Sequence, residues 1–194
     1  MSEGTSSSGW LKPLAARLLR DYEIYWIFEW DCASPPAHAP RAAAPCAMTE
    51  VDEAAIRALP CAPLREQAWY AGEGARAFLA TLHGAPAGLC FYWYGARYRT
   101  RNFWPLRPGQ AKLVQVMVDP VHRGHGVASA LIAHSADVLA GDGFRTLFAR
   151  VWHSNAPSIA AFRRAGWRRR ALVVAAMPAG MQRRLRVVLP VRGW

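Results

Sequence analysis

The stretch KLVQVMVDPVHRGHGVASALIAHSADVLA, residues 112–140, decides how the chain is read. Residues 112–118 form a short apolar run rich in valine and closed by Asp119-Pro120, the pattern of a buried strand. Residues 127–140 carry apolar side chains at helical spacing and predict a helix. Between the two, Arg123-Gly124-His125-Gly126-Val127-Ala128 brings several backbone N–H groups to a helix N-terminus. Glycines there remove Cβ obstruction and the helix dipole favours a phosphate, so the loop is a candidate anion cradle. A tight turn in which the glycines serve only unusual dihedrals is the competing account.

Outward from this stretch, TLFARVW (146–152) reads as a strand and PSIAAFRRA (157–165) as a helix, so strand and helix alternate through the middle of the chain. Upstream, residues 75–83 and 87–94 read as strands joined at His83-Gly84-Ala85-Pro86 into a β-hairpin. YEIYWIFEWD (22–31), dense in aromatic and β-branched residues, is the expected first strand, and two more are expected near 167–176 and 183–190. Leu11, Leu14, Leu18 and Leu19 suit a short amphipathic helix over 10–20, whereas the prolines of residues 32–47 exclude regular structure there. Thr49, followed by Glu50, Asp52 and Glu53, predicts a capped helix to about Leu59, with a second short helix over about 63–70. Residues 95–110 are a polar and aromatic loop. The expected architecture is a mixed α/β (α+β) sheet, with residues 1–9 a flexible tail and residues 10–194 a single domain.

Two nucleotide folds compete for the glycine loop. A Rossmann loop would want a third glycine where Ser129 stands and an acid ending a second strand, whereas Asp142 lies in the connection after the helix. A P-loop needs Gly-Lys-Ser/Thr, which is absent. Both are disfavoured.

The loop resembles instead the pyrophosphate loop of the GNAT acyltransferase superfamily, Gln/Arg-x-x-Gly-x-Gly/Ala, which Arg123, Gly126 and Ala128 match. A second stretch, NAPSIAAFRRAGW (155–167), is similar to the family's Asn-led helix, with Asn155, Ser158, Ile159, Phe162 and Gly166-Trp167 in register. The resemblance implies a central, mixed, largely antiparallel sheet flanked by helices, with a V-shaped splay between two central strands. It implies acetyl-CoA as co-substrate, the pantetheine arm pairing with backbone at Val116, Met117 and Val118, and the pyrophosphate on residues 123–128, including Gly124, His125 and Val127. Asn155 would contact the cofactor or orient the departing thiol, with Ser158 and Phe162 beside it. Read from the residues, Asn155 is also a natural N-cap for the helix containing Pro157.

Attack of an amine on a thioester needs a base, donors for the oxyanion and a proton for the leaving thiolate. The resemblance places a tyrosine acid where Phe162 stands, and in relatives acting on protein N-termini a glutamate where Arg150 stands, so both customary proton carriers are missing. Three accounts remain open. A thiol of pKa about 8.5 leaves without much help. Alternatively His153, Ser154, Tyr92 or Tyr94 substitutes, or the protein binds CoA without turnover. A lone strand-end His such as His153 is also commonly just solvated.

The resemblance implies an acceptor side that includes Glu29, Asp31 and residues 98–107; in the loop over 95–110, Arg97, Arg99 and Arg101 alternate beside Tyr98, Phe103 and Trp104. An anionic or nucleotide-linked small-molecule amine would suit that set; an ordinary solvated loop is the plainer account. The chain has 194 residues, 53% hydrophobic and 19% charged, which excludes bulk disorder. Its formal charge of +11 arises after Asp142, the last acidic residue. Nucleic-acid binding through residues 143–194 is therefore a weaker third reading, since Arg163 and Arg164 flank the proposed CoA cleft and the cofactor is itself polyanionic. Arg168–Arg170 and Arg183–Arg186 are expected as solvated strand ends. Cys32, Cys46, Cys61 and Cys90 lack paired metal spacing, so reduced thiols and no metal are expected. Without a signal-peptide core or a membrane-length apolar run, a cytoplasmic address is expected, with a homodimer among the expected assemblies.

Overall fold

The computed structural model describes residues 19–34, 46–178 and 183–191. The expected tail over 1–9, most of the expected helix over 10–20 and the centre of the proline-rich loop lie outside the described residues. Eight strands form one open sheet: β1 (Leu19–Asp31), β2 (Cys46–Glu50), β3 (Ala75–Leu82), β4 (Ala85–Trp93), β5 (Gln110–Val118), β6 (Thr146–Trp152), β7 (Arg168–Pro178) and β8 (Leu185–Pro190). Their order is β2-β3-β4-β5-β6-β1-β7-β8, and every neighbouring pair is antiparallel except β5 and β6. Among the described residues four α-helices accompany them: α1 (Glu53–Arg57), α2 (Ala62–Arg65), α3 (Val127–Gly141) and α4 (Ala156–Arg164). A parallel neighbour requires a crossover, and α3 supplies it between β5 and β6.

The central strands are buried on both faces. On one face Phe28, Trp30, Cys90, Tyr92, Leu113 and Leu147 pack with Leu131, Ile132 and Phe162 of α3 and α4. On the other, Leu89, Phe91 and Trp93 meet Ile56, Leu64 and Tyr70, and farther along Tyr25, Ile27 and Phe148 meet Phe103. Arg97 fastens this second face: its guanidinium donates to the carbonyls of Glu73, Trp69 and Ala71 and lies over the Trp93 ring. The His83-Gly84 turn uses positive φ at both residues, as a two-residue hairpin requires.

Two features set the site. The parallel ladder runs only from Gln110↔Thr146 to Leu113↔Ala149, after which β5 and β6 part. At that point the β4–β5 register shifts between Phe91↔Gln115 and Tyr92↔Leu113, leaving Val114 without a cross-strand partner, a β-bulge at the vertex of the splay. Gly88 lies opposite Val118, and a Cβ there would meet the Met117 carbonyl oxygen at 2.9 Å and Val127 Cγ1 at 3.2 Å. Gly88→Ala is expected to destabilise the fold by ~1–3 kcal/mol, read as a lower denaturation midpoint, because it pushes β5 and α3 off β4.

One expectation fails at the first helix. Thr49 does not cap it; residues 46–50 are strand β2, paired with β3, and Asp52 is the N-cap, accepting from Ala55 N at 2.8 Å. Glu50 pairs with Arg76 of β3, an ion pair across the two strands. The second helix is also shorter, four residues of α2 followed by a separate 3₁₀ turn over Ala68–Tyr70. Residues 19 and 20, expected in a helix, belong to β1.

Candidate acyl-transfer site

Where β5 and β6 part, a cavity of about 710 Å³ opens between β5 and the N-terminal ends of α3 and α4. From β5 it is lined by Val116, Met117 and Val118, whose β6-facing edge carries no paired strand. From the loop it is lined by Arg123, Gly124, Gly126, Val127 and Ala128. Gly126 is the N-cap of α3 with φ of 79°, and its carbonyl accepts from Ala130 N and Ser129 Oγ, which locks the loop to the first helical turn. His125 does not line the cavity; it is exposed and its Nδ1 lies 3.0 Å from the Arg123 carbonyl. The loop is buttressed from α2, because the Cys61 thiol donates to Asp119 Oδ2 at 2.7 Å. That contact, with the Val121 N–H, holds the Asp119 carboxyl below its usual range, while burial, then Asp119, pushes the thiol up. Cys61 thus contributes to positioning, which its irregular spacing did not suggest.

From α4, Asn155, Ser158 and Phe162 line the cavity. Asn155 Oδ1 accepts from Ser158 N at 3.1 Å, so its carbonyl side is engaged as the N-cap and its amide N–H₂ remains the end able to donate. Phe162 is buried at 5% exposure, with its ring between those of Phe28 and Trp167 at 5.3 and 5.2 Å. Ile132, Ala161 and Arg164 also line the cavity, the first two from helix faces that sequence periodicity marks only as core.

The four proton-carrier candidates are dispersed. Tyr92 is fully buried under α3, where its hydroxyl lies 3.0 Å from Ser135 Oγ, and burial raises its pKa well above the usual phenol value. It is not among the residues lining the cavity, and neither is Tyr94, which packs edge-on against Phe144. His153 is exposed just beyond β6 with Nδ1 2.9 Å from the Ile24 carbonyl, so Nδ1 carries the proton and Nε2 is the atom able to accept one. Ser154 is exposed beside it.

On the face opposite α3 and α4, Lys112 is fully buried, its Nζ between the Tyr98 and Phe103 rings and 3.2 Å from Asn102 Oδ1. Burial, then Arg150, lowers its pKa to about 8. Arg150 lies over the Tyr25, Phe103 and Trp152 rings, and Arg101 over Trp69 and Tyr70. Glu29 is not with them; it pairs with Arg170 at 3.3 Å.

A family model described as acetyltransferase (GNAT) family matches residues 48–167. The chain belongs to the GNAT acetyltransferase family. Among solved structures it is similar to a tandem GNAT protein from the clavulanic acid biosynthesis pathway, at 19% identity and a TM-score of 0.54, over 94% of this chain and 62% of that one. A GNAT-family acetyltransferase from Colwellia psychrerythraea shares 14% identity with a TM-score of 0.56, over 88% and 62%. A GNAT-family protein from Novosphingobium aromaticivorans shares 17% with a TM-score of 0.52, over 81% and 65%. The chain therefore spans less than two thirds of the length of these GNAT structures. No curated protein matches it. The splayed, mostly antiparallel sheet is the GNAT fold, and the family uses acetyl-CoA. Among the described residues no helix is long and apolar enough to cross a membrane, and no group of His, Cys, Asp or Glu could hold a metal ion.

Proposed function

We propose that this protein transfers an acetyl group from acetyl-CoA to the amine of a small molecule. The observation that carries the reading is the meeting, in one cavity, of an unpaired β-strand edge at Val116–Val118 with the glycine cradle at the start of α3. An extended amide-bearing arm suits the first and a pyrophosphate the second. Acetyl-CoA supplies an acyl group activated as a thioester. Asn155 offers its amide N–H₂ toward the cavity, and Arg164 adds positive charge to its wall. Val114, without a cross-strand partner at the vertex, carries the backbone N–H we assign to a tetrahedral oxyanion. Phe162 keeps the inner wall dry and cannot donate a proton, so the thiolate leaves unaided or takes a proton from solvent. His153, exposed and two residues before Asn155 but not among the residues lining the cavity, is the base we assign to the amine, through Nε2. The same reading takes residues 10–194 as one domain, supported by a single continuous sheet.

A second reading, a CoA-binding module without turnover, is favoured by Phe162 and by Arg150, neither of which carries a transferable proton. Incubation with acetyl-CoA and a broad panel of amines, followed by thiol release, separates the two. Amine-dependent thiol release is expected. Tight CoA binding without release supports the second reading, and neither binding nor release overturns both.

A further inference from the structure

A second cavity, of about 650 Å³, lies on the far side of α4 from the acetyl-CoA cavity, at the ends of β1 and β7. Arg163 of α4 and Arg168, Arg169 and Arg170 of β7 line it, with Glu29 the one carboxylate among its lining residues. Arg170 is paired with Glu29. No ion pair joins Arg163, Arg168 or Arg169 to a described carboxylate, so three of the four arginines lining the cavity have no carboxylate partner. The register shift between Ile27↔Ala171 and Phe28↔Arg169 leaves Arg170 as an extra residue and interrupts the regular alternation of side chains along β7 beside the cavity.

Two residues that line it, Arg169 and Trp167, each carry a buried donor without a protein acceptor, as Arg97 and Trp30 do elsewhere in the fold. Arg169 Nε is buried without a hydrogen-bond partner, its guanidinium carbon 4.3 Å from the Trp26 ring centre, and the indole N–H of Trp167, 3% exposed, is likewise unpartnered. Buried donors normally find an acceptor, and leaving one unmade is costly. Unpaired planar donors, one net carboxylate already engaged and a concave wall together describe a receptor for an oxyanion.

The geometry points to a second anion-binding site, formed by Arg163, Arg168 and Arg169 and distinct from the acetyl-CoA cavity, that takes the phosphate or pyrophosphate group of a small molecule. It does not depend on acyl transfer, and it gives the C-terminal arginines, otherwise unused by the acetyl-CoA cavity, a ligand. α4 forms a wall of both cavities, Arg164 facing one and Arg163 the other.

Calorimetric titration of the full chain with inorganic pyrophosphate tests it, using Arg169→Ala, the exposed Arg168→Ala and the cradle variant Gly126→Val. Arg168→Ala keeps the test valid if Arg169→Ala fails to fold. The expected result is a saturable site weakened about tenfold or more by either arginine substitution and kept in Gly126→Val. Loss confined to Gly126→Val would assign the anion to the α3 cradle and overturn the proposal. So would unchanged affinity in the arginine variants, or retention of single-stranded RNA with no pyrophosphate response.

Discussion

Replacing Gly126 with valine is expected to lower acetyl-CoA affinity at least about tenfold while leaving a folded protein. Gly126 holds φ of 79°, a conformation that costs an L-residue ~1–2 kcal/mol and suits a β-branched one least. Its carbonyl is held by Ala130 and Ser129, so the strain cannot be shed into the helix and falls on the preceding turn, whose N–H groups form the cradle. The new side chain would also stand where a phosphate must approach backbone. Gly84→Val is the matched control: Gly84 has φ of 81° and open space around a Cβ, but sits in the β3–β4 hairpin outside the cavity lining. Both variants should lose comparable stability in thermal unfolding, and only Gly126→Val should lose acetyl-CoA in a titration. Equal affinities in the two variants would remove the cradle from the proposed mechanism.

The parts of this fold legible in the sequence were those whose information is local. The valine-rich run at 112–118, the glycines before a helical repeat and the Asn-led helix each announce an element through its own residues, and the splay followed from the family they resemble. What was not legible depends on partners distant in sequence. Thr49-Glu50 has the composition of a helix start, but Glu50 finds Arg76 and the segment extends the sheet instead. Tyr92 was one hairpin tyrosine that could replace the missing acid; Ser135, forty-three residues on, receives its hydroxyl in the core. The bulge at Val114 leaves no mark in KLVQVMV, since valine suits either side of it. Arg168 and Arg170 are exposed, as expected of strand ends, while Arg169 is half-buried; that the three line one cavity beside a second register shift is what the sequence does not announce.

The stability of the wild type relative to Lys112→Met is expected to rise with pH by up to ~3 kcal/mol between pH 7 and 10.5. Lys112 is fully buried, and burial reinforced by Arg150 brings its pKa from an ordinary 10.5 to about 8. Between those values the unfolded chain holds a proton that the folded chain has released, so folding becomes more favourable as pH rises through the window. Below pH 8 both states are charged and the full desolvation cost stands, offset in part by the Tyr98 and Phe103 rings and the Asn102 carbonyl. Methionine, of similar length and without charge, removes that cost, so the variant should match or exceed the wild type at neutral pH. The difference between the two proteins is the quantity to measure, because other buried groups act in the opposite sense. Burial pushes Cys90 up to about 12 and Cys32 to about 11, and raises Tyr92, so each keeps a proton in the folded state that the unfolded chain gives up. Both proteins should therefore lose absolute stability above about pH 9, while their difference in urea-unfolding free energy climbs. A difference that stays flat from pH 7 to 10.5 would mean that Lys112 is solvated, and that the loop over 97–103 does not close over it.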